Sequence, residues 1–386
     1  MRVTKRYFRM KLRYTVLFLS LFILLAAIIT GCSKKEDVIK IGVAGPMTGD
    51  QSKMGIDMKN GAELAINEWN RKGGVLEKKL KIIVEDDQHD PKQAVSVANK
   101  LVNAGTIGII GHFNSNASIP ASATYNKANI PMITPASTNP QLTEQGFTNV
   151  FRVCGRDDQQ GLVAATFVSE VLKFKRIAVL HDKTTYGQGL ADEFVKAINH
   201  KADVVYYAGV VQGDKDFRAV LTALKGKRPE LLYFGGIYPE GGLIIKQARE
   251  LGLNIPFMSG DGLIDQKFIE IAGPASEGSY LSFSPDPENI PNAKDFLKSY
   301  RSNYGEPGPY SIYAYDAANV LLRSIEAAGS ADGAAISKAI HEMKHTGALG
   351  ELEWDKKGDI LHSPYVVWEV KNGKFTEYWK PGETNH

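Results

Sequence analysis

Two consecutive runs of alternating strand and helix pattern limit what this chain can fold into more than any other feature. In the first, "VIKIGVAG" (38–45) reads as a strand and "NGAELAINEWNRKGG" (60–74) as a helix, with Ala62, Ala65, Ile66 and Trp69 at helical spacing before a Gly-Gly stop. "LKIIVEDD" (80–87) is the next strand. Asp90 then caps a helix with Pro91 at its first position and Gln93 placed for a capping box, and Ala94, Val97, Ala98 and Leu101 make the apolar stripe. Strands "TIGIIG" and "IPMITP" complete the run. After "VFRVCGRDDQQG" the alternation restarts with strands "RIAVLHD", "DVVYYAG", "ELLYFGG" and "IPFMSG", and Phe217, Val220, Leu221 and Leu224 mark one of the helices between them. Such alternation implies parallel sheets covered on both faces, hence an α/β chain of two doubly wound parallel-sheet lobes.

The N-terminus sets the compartment. Arg2, Lys5, Arg6, Arg9, Lys11 and Arg13 precede an apolar run from Thr15 to Ile29 and then "ITGC". The pattern predicts a lipoprotein signal peptide over 1–31, with Cys32 as the lipidated first residue of the mature chain. A retained anchor helix is the alternative, but the run falls short of the ~20 residues a span needs. Cleavage removes six basic residues and takes the formal charge from +3 to −3. No polybasic stretch remains, which argues against nucleic acid as a partner. With Cys32 carrying lipid, Cys154 in the apolar "VFRVCG" is the one thiol left, so an intrachain disulfide is excluded and a buried, inert thiol is expected.

About 350 residues follow the anchor, more than one core usually holds, so two domains are expected. In open parallel sheets ligands bind beyond the carboxyl ends of the strands. The informative segments are therefore "GHFNSN", "PASTN", "HDKTTYGQG", "GGIYPEGG" and "SGDG". None is a nucleotide motif, and Ser115 is not in a nucleophile elbow. His89, His112 and His181 read as backbone caps rather than catalysts. "EDDQHD" (85–90) reads as a solvated strand end plus a helix cap rather than a metal cluster, because the glycine of a calcium loop is missing. No enzyme, cofactor or metal is expected.

Taken together, "DDQHDPKQAVSVANKLVNAG", "GHFNSNASIPAS", "IPMITPASTNPQLT", "HDKTTYGQGLA", "YFGGIYPEGG" and "GELEWDKKGD" resemble the leucine/isoleucine/valine-binding proteins, type I periplasmic solute-binding proteins of ABC importers. The resemblance covers essentially the whole mature chain. It implies two lobes joined by three crossings near 156, 284 and 363: lobe one is 38–156 with 285–363, lobe two is 157–284 with 364–386. On that scheme the long helix in "YSIYAYDAANVLLRSIEAAG" returns to cover lobe one, and "KNGK" turns a hairpin between "PYVVWEV" and "FTEYW" that closes lobe two.

The resemblance also implies a site. A ligand carboxylate would meet the Ser115 backbone N–H and hydroxyl, with help from Thr138, at the start of a helix beginning near Asn116. An ammonium would meet the Ala136 carbonyl, the Thr138 hydroxyl and Asp261. Tyr186 would close over the ligand from lobe two, and Met54, Phe113 and Ile237 would form an aliphatic wall. The chain departs from the family's pattern at Met54 and Ile237, where relatives carry aromatic residues, and at Asp261, one methylene shorter than the usual Glu. Tyr238 is a candidate substitute for a lost aromatic, or a lobe-edge tyrosine. The function implied is a lipid-anchored, extracytoplasmic, monomeric receptor that captures an amino acid, foremost leucine, isoleucine or valine, and presents it to ABC permease subunits. A sensory receptor of the same fold for a small amino acid, amide or carboxylic acid is the alternative.

Overall fold

The computed structural model describes residues 38–382. The predicted signal peptide and Cys32 lie outside the described residues. Strands β1 (Ile39–Gly45), β2 (Leu80–Asp86), β3 (Gly108–Gly111), β4 (Met132–Thr134) and β5 (Val150–Arg152) form an all-parallel sheet in the order β2-β1-β3-β4-β5. Helices α1 (Ser52–Arg71), α2 (Pro91–Asn103) and α3 (Ser115–Lys127) make its first three crossovers. Helix α2 buries Ala94, Val97, Ala98 and Leu101, and the Asp90 side chain accepts the Gln93 N–H at 2.7 Å. The capping box stays open, because the Asp90 N–H goes to the Asp87 carbonyl instead. Helix α1 starts eight residues earlier than the sequence reading; Met54 and Met58 extend its buried face past Gly55 and Asp57, which mask the period.

The second sheet begins after α4 (Asp157–Thr166). It contains β6 (Arg176–His181), β7 (Asp203–Gly209), β8 (Leu231–Gly235), β9 (Phe257–Ser259), β10 (Tyr280–Phe283), β13 (Val366–Lys371) and β14 (Lys374–Trp379). The order is β14-β13-β10-β9-β8-β6-β7, with β13 and β14 antiparallel and the rest parallel. Helices α5 (Thr185–Ile198), α6 (Arg218–Lys225), α7 (Tyr238–Glu250) and α8 (Gln266–Ala272) follow β6 to β9 in turn. The β13/β14 hairpin turns at the "KNGK" segment, where Lys371 pairs with Lys374. Helices α9 (Lys294–Tyr304), α10 (Ser311–Ala328) and α11 (Gly333–Glu342) and a short hairpin, β11 (His345–Gly347) with β12 (Gly350–Leu352), fall between the second sheet's β10 and β13. Helix α10 packs back along α1 and against β3 and β4 of the first sheet. Trp69 of α1 donates its indole N–H to Asn319 of α10 at 2.9 Å.

Both sheets reverse direction after their first pair of strands. In one, β1 runs out to β2 and the chain then crosses to β3; in the other, β6 runs out to β7 and crosses to β8. Crevices form beyond the carboxyl ends at such switch points, so the residues following β1 and β3, and those following β6 and β8, are placed to share a ligand. Gly111 permits the turn after β3: its φ is +125°, and a Cβ there would lie 2.1 Å from the Ala44 carbonyl oxygen. Among the described residues no helix is long and apolar enough to cross a membrane.

Candidate functional site

The strand ends of the two sheets face a narrow, nearly closed cleft of about 20 Å³. Met54 on α1, Phe113 and Ser115 after β3, Ala136 after β4, Tyr186 after β6, Ile237 after β8 and Asp261 after β9 all line it. Gln51, Asn114, Gly262 and Tyr310 complete the wall. Thr138 is buried behind the lining residues. Wider openings exist: a groove of about 1090 Å³ runs over the outer parts of α1 and α10, and one of about 470 Å³ is lined by residues such as Phe296 and Trp368. Neither gathers the ends of the parallel strands, which is where this fold concentrates free backbone groups.

One side of the cleft carries the start of a helix. Asn114 precedes α3 in extended conformation and Ser115 is its first residue, one position ahead of the sequence reading. The opening N–H groups of a helix have no intrahelical acceptor and carry partial positive charge. Ser115 Oγ accepts the Asn139 N–H at 3.2 Å, tying this helix start to the turn that holds Thr138.

The other side is rich in buried acceptors. The Asp261 carboxylate takes the Tyr186 hydroxyl on Oδ1 at 2.8 Å and the Tyr310 hydroxyl on Oδ2. Tyr186 in turn accepts the Gly262 N–H at 2.8 Å, which fixes its phenol as a donor to the acid. Behind the lining, Gln160 Oε1 and both carboxylate oxygens of Asp157 are buried without a hydrogen-bond partner, as are Thr138 Oγ1 and Asn114 Oδ1 on the Ser115 side. Burial drives the Asp157 carboxyl well above the ordinary range, and the neighbouring Asp261 pushes it the same way. Asp261 is also raised by burial, against the pull of its phenol donors. Burial and the Asp261 charge hold both phenols protonated far above neutral pH.

Sequence reasoning placed Ser115, Ala136, Met54, Phe113, Ile237, Tyr186 and Asp261 at one site, and the structure brings them together. It missed Asp157, Tyr310, Gln51 and Asn114. Asp157 opens α4 in "GRDDQQG", a common place for a solvated acid, and nothing local signals that it is fully buried. Tyr310 arrives from the chain's return to the first sheet and packs edge-on against Phe113 with ring centroids 5.0 Å apart. Tyr238 does not enter the cleft; its hydroxyl reaches the Asp50 carbonyl. Cys154 is buried, and its thiol is pushed up to about 12 by that burial.

The histidines and the acidic segment are all engaged, but only His181 caps a backbone group as expected; the rings of His112 and His89 bond to side chains, and Asp87 is fully buried rather than solvated. His112 is fully buried between Asp87 (2.6 Å) and the Tyr125 hydroxyl (3.0 Å). His89 bridges Asn116 at 3.0 Å and Gln212 at 2.9 Å, and His181 Nδ1 accepts the Lys183 N–H. Asp86 takes the Met47 and Gln88 N–H groups and the Thr48 hydroxyl. Among the described residues no three such side chains are grouped to hold a metal ion.

Two switch-point sheets share one cleft, with a helix start on one side and a buried acid on the other, the frame of a protein that binds a small solute between its strand ends. A family model described as periplasmic binding protein matches residues 38–374. The Leu/Ile/Val-binding protein homolog 1 of Brucella suis is 44% identical over 357 residues, covering 92% of this chain and 96% of that protein. Among solved structures, the leucine binding protein LivK of Thermotoga maritima has a TM-score of 0.84 at 34% identity, covering 89% of this chain and 99% of its own. The branched-chain amino acid transporter substrate binding protein LivJ of Streptococcus pneumoniae, solved with isoleucine, has a TM-score of 0.82 at 29% identity, covering 89% and 100%. The chain belongs to the periplasmic binding protein family, in the branch of branched-chain amino acid ABC importers. These relatives are solute-binding proteins rather than enzymes, and the family works outside the cytoplasm.

Proposed function

We propose that this protein captures leucine, isoleucine or valine between two closing lobes and delivers it to the permease of an ABC importer. The observation that carries the reading is the division of the cleft. An anion seat without a basic side chain, at Ser115 and the first N–H groups of α3 with Thr138 beside them, faces the buried Asp261 carboxylate, and an apolar wall of Met54, Phe113 and Ile237 lies beside them. That set matches a zwitterion with an aliphatic side chain: carboxylate to the helix start, ammonium to the Ala136 carbonyl, the Thr138 hydroxyl and Asp261.

The lobes are 38–156 with 285–363 and 157–284 with 364–386, hinged near 156, 284 and 363. Contacts across the cleft support closure about the ligand: Tyr310 to Asp261, and the Asn139 side-chain amide to the Thr185 carbonyl at 2.8 Å. Cys32 anchors the mature chain to the membrane through lipid, and the receptor acts as a monomer. A thermal-shift screen of the mature chain against the twenty amino acids tests the reading. Ligand at ~100-fold above its Kd adds ~2.7 kcal/mol to stability. Leucine, isoleucine and valine are expected to give the largest shifts; a strong shift with glutamate and none with leucine would overturn the proposal.

A further inference from the structure

We infer that Arg152, outside the cleft lining, is the residue that shapes the ligand's carboxylate seat. Its side chain is fully buried at the end of β5, beneath the turn that carries Thr138. Nη1 donates to the Ser137 carbonyl at 2.6 Å and Nη2 to the Asn139 carbonyl at 3.1 Å. The carbonyl between them, that of Thr138, accepts the Asp157 N–H at 2.9 Å. Three successive carbonyls are thus drawn to the β5 side of the turn.

A trans peptide is planar, with its N–H opposite its carbonyl. Pulling the Ser137 carbonyl toward Arg152 therefore turns the Thr138 N–H away, toward α3. The next peptide confirms the direction, since the Asn139 N–H does reach Ser115 Oγ on α3. The Thr138 N–H and the Ser115 helix start then converge on one small volume, where a carboxylate fits. This inference rests on the proposed placement of the ligand carboxylate at that seat.

The guanidinium is itself held. Asp359 Oδ1 lies 2.6 Å from Arg152 Nε, an ion-pair distance at too bent an angle for a hydrogen bond. Thr143 Oγ1 accepts from Arg152 Nη2 at 2.9 Å and donates to Asp359 at 2.8 Å, and Arg156 grips the other Asp359 oxygen at 2.6 Å. A planar fork fixed on three sides sets two carbonyl directions at once, which a lysine ammonium cannot do. Arg152 is a positioning residue: it touches no ligand atom.

The test compares leucine with leucinamide, which keeps the amine and side chain but lacks the carboxylate, by calorimetry on wild type and Arg152→Lys. Arg152→Lys is expected to weaken leucine about tenfold, the scale of one charge-assisted hydrogen bond, and to leave leucinamide nearly unchanged. Equal weakening of both ligands, or no change in either, would overturn the inference. Should Arg152→Lys fail to fold, Thr143→Val loosens the same network without stranding a charge; it is expected to lower the leucine-to-leucinamide preference severalfold, and an unchanged preference again overturns the inference. Failure of the underlying site reading looks different: wild type would bind leucinamide as tightly as leucine before any substitution is made.

Discussion

An ammonium arriving at Asp261 meets a carboxylate that already holds two phenol protons, so it must share the acid's remaining lone pairs or displace Tyr186 and Tyr310. Asp261→Asn keeps the shape and can still accept one phenol, but it removes the charge that distinguishes an ammonium. It is expected to fold normally by circular dichroism and to lose leucine affinity by ten- to a hundredfold, the equivalent of ~1.5 to 3 kcal/mol, in calorimetry. Unchanged affinity would show that Asp261 does not read the ammonium. Asp182 gives a pH test separate from the ligand. Burial raises its carboxyl to about 6, while its Oδ1 accepts the Thr184 N–H and hydroxyl. A raised acid contributes stability that is whole below its unfolded value, about 4, and is lost as pH rises through about 6. From pH 3.5 to 7.5 the unfolding free energy from urea titration should therefore fall by ~2 to 3 kcal/mol more, or rise by that much less, in wild type than in Asp182→Asn. Equal slopes would show that Asp182 does not titrate in that window. At this scale strand ends pointed to the segments, and the family resemblance picked out the residues, Ser115, Ala136 and Tyr186 among them. Tyr310 was not legible, because its place at Asp261, 49 residues away in the chain, is set by the tertiary fold.

Elements with a full period, a cap chemistry or an apolar run between breakers were readable, β3, β4 and β9 of three or four residues included, whereas β5 and β10 were not. Helix α2 announces itself through Asp90, Pro91 and a stripe of four buried apolar residues. Asp90→Ala should cost ~1 kcal/mol, seen as a lower urea midpoint with unchanged leucine affinity, since the cap sits on the first sheet's outer helix. Strands β5 and β10, of three and four residues, give no alternation to detect, and their place is fixed only by the neighbours they pair with. The first turns of α1 were hidden because Gly55 and Asp57 are buried against partners rather than exposed: a Cβ on Gly55 would lie 2.0 Å from the Pro46 carbonyl oxygen, and Asp57 pairs with Lys53. Helix α5 supplies the contact most sensitive to closure. A Cβ at Gly189 would come within 2.3 Å of the Asn139 amide nitrogen, which also holds the Thr185 carbonyl. Gly189→Leu is expected to favour the helix itself yet hold the lobes apart, weakening leucine about tenfold or more while the unfolding midpoint without ligand stays level or rises. Full affinity in that variant would mean closure does not use this contact.

At the scale of the molecule, two switch-point sheets place their ligand groups on opposite sides of one cleft: Ser115 and Thr138 follow strands of the first sheet, Tyr186 and Asp261 strands of the second. A ligand bound by both sides favours the closed arrangement by its differential affinity for it. Small-angle scattering should show compaction when leucine is added, and an unchanged radius of gyration with binding confirmed separately would speak against closure. The doubly wound architecture was legible from strand and helix alternation alone, whereas the passage of α10 back to the first sheet was legible only through family resemblance, because hydrophobic period says which face of a helix is buried but not against what. The central claim, a cleft that recognises an amino acid through both its charged ends, is tested most directly by calorimetric titration of the wild-type protein with leucine and with 4-methylpentanoate, its deaminated analogue. The account predicts that the deaminated acid binds ten- to a hundredfold more weakly, the ~1.5 to 3 kcal/mol of the lost ammonium contacts. Binding of the two with equal affinity would contradict it.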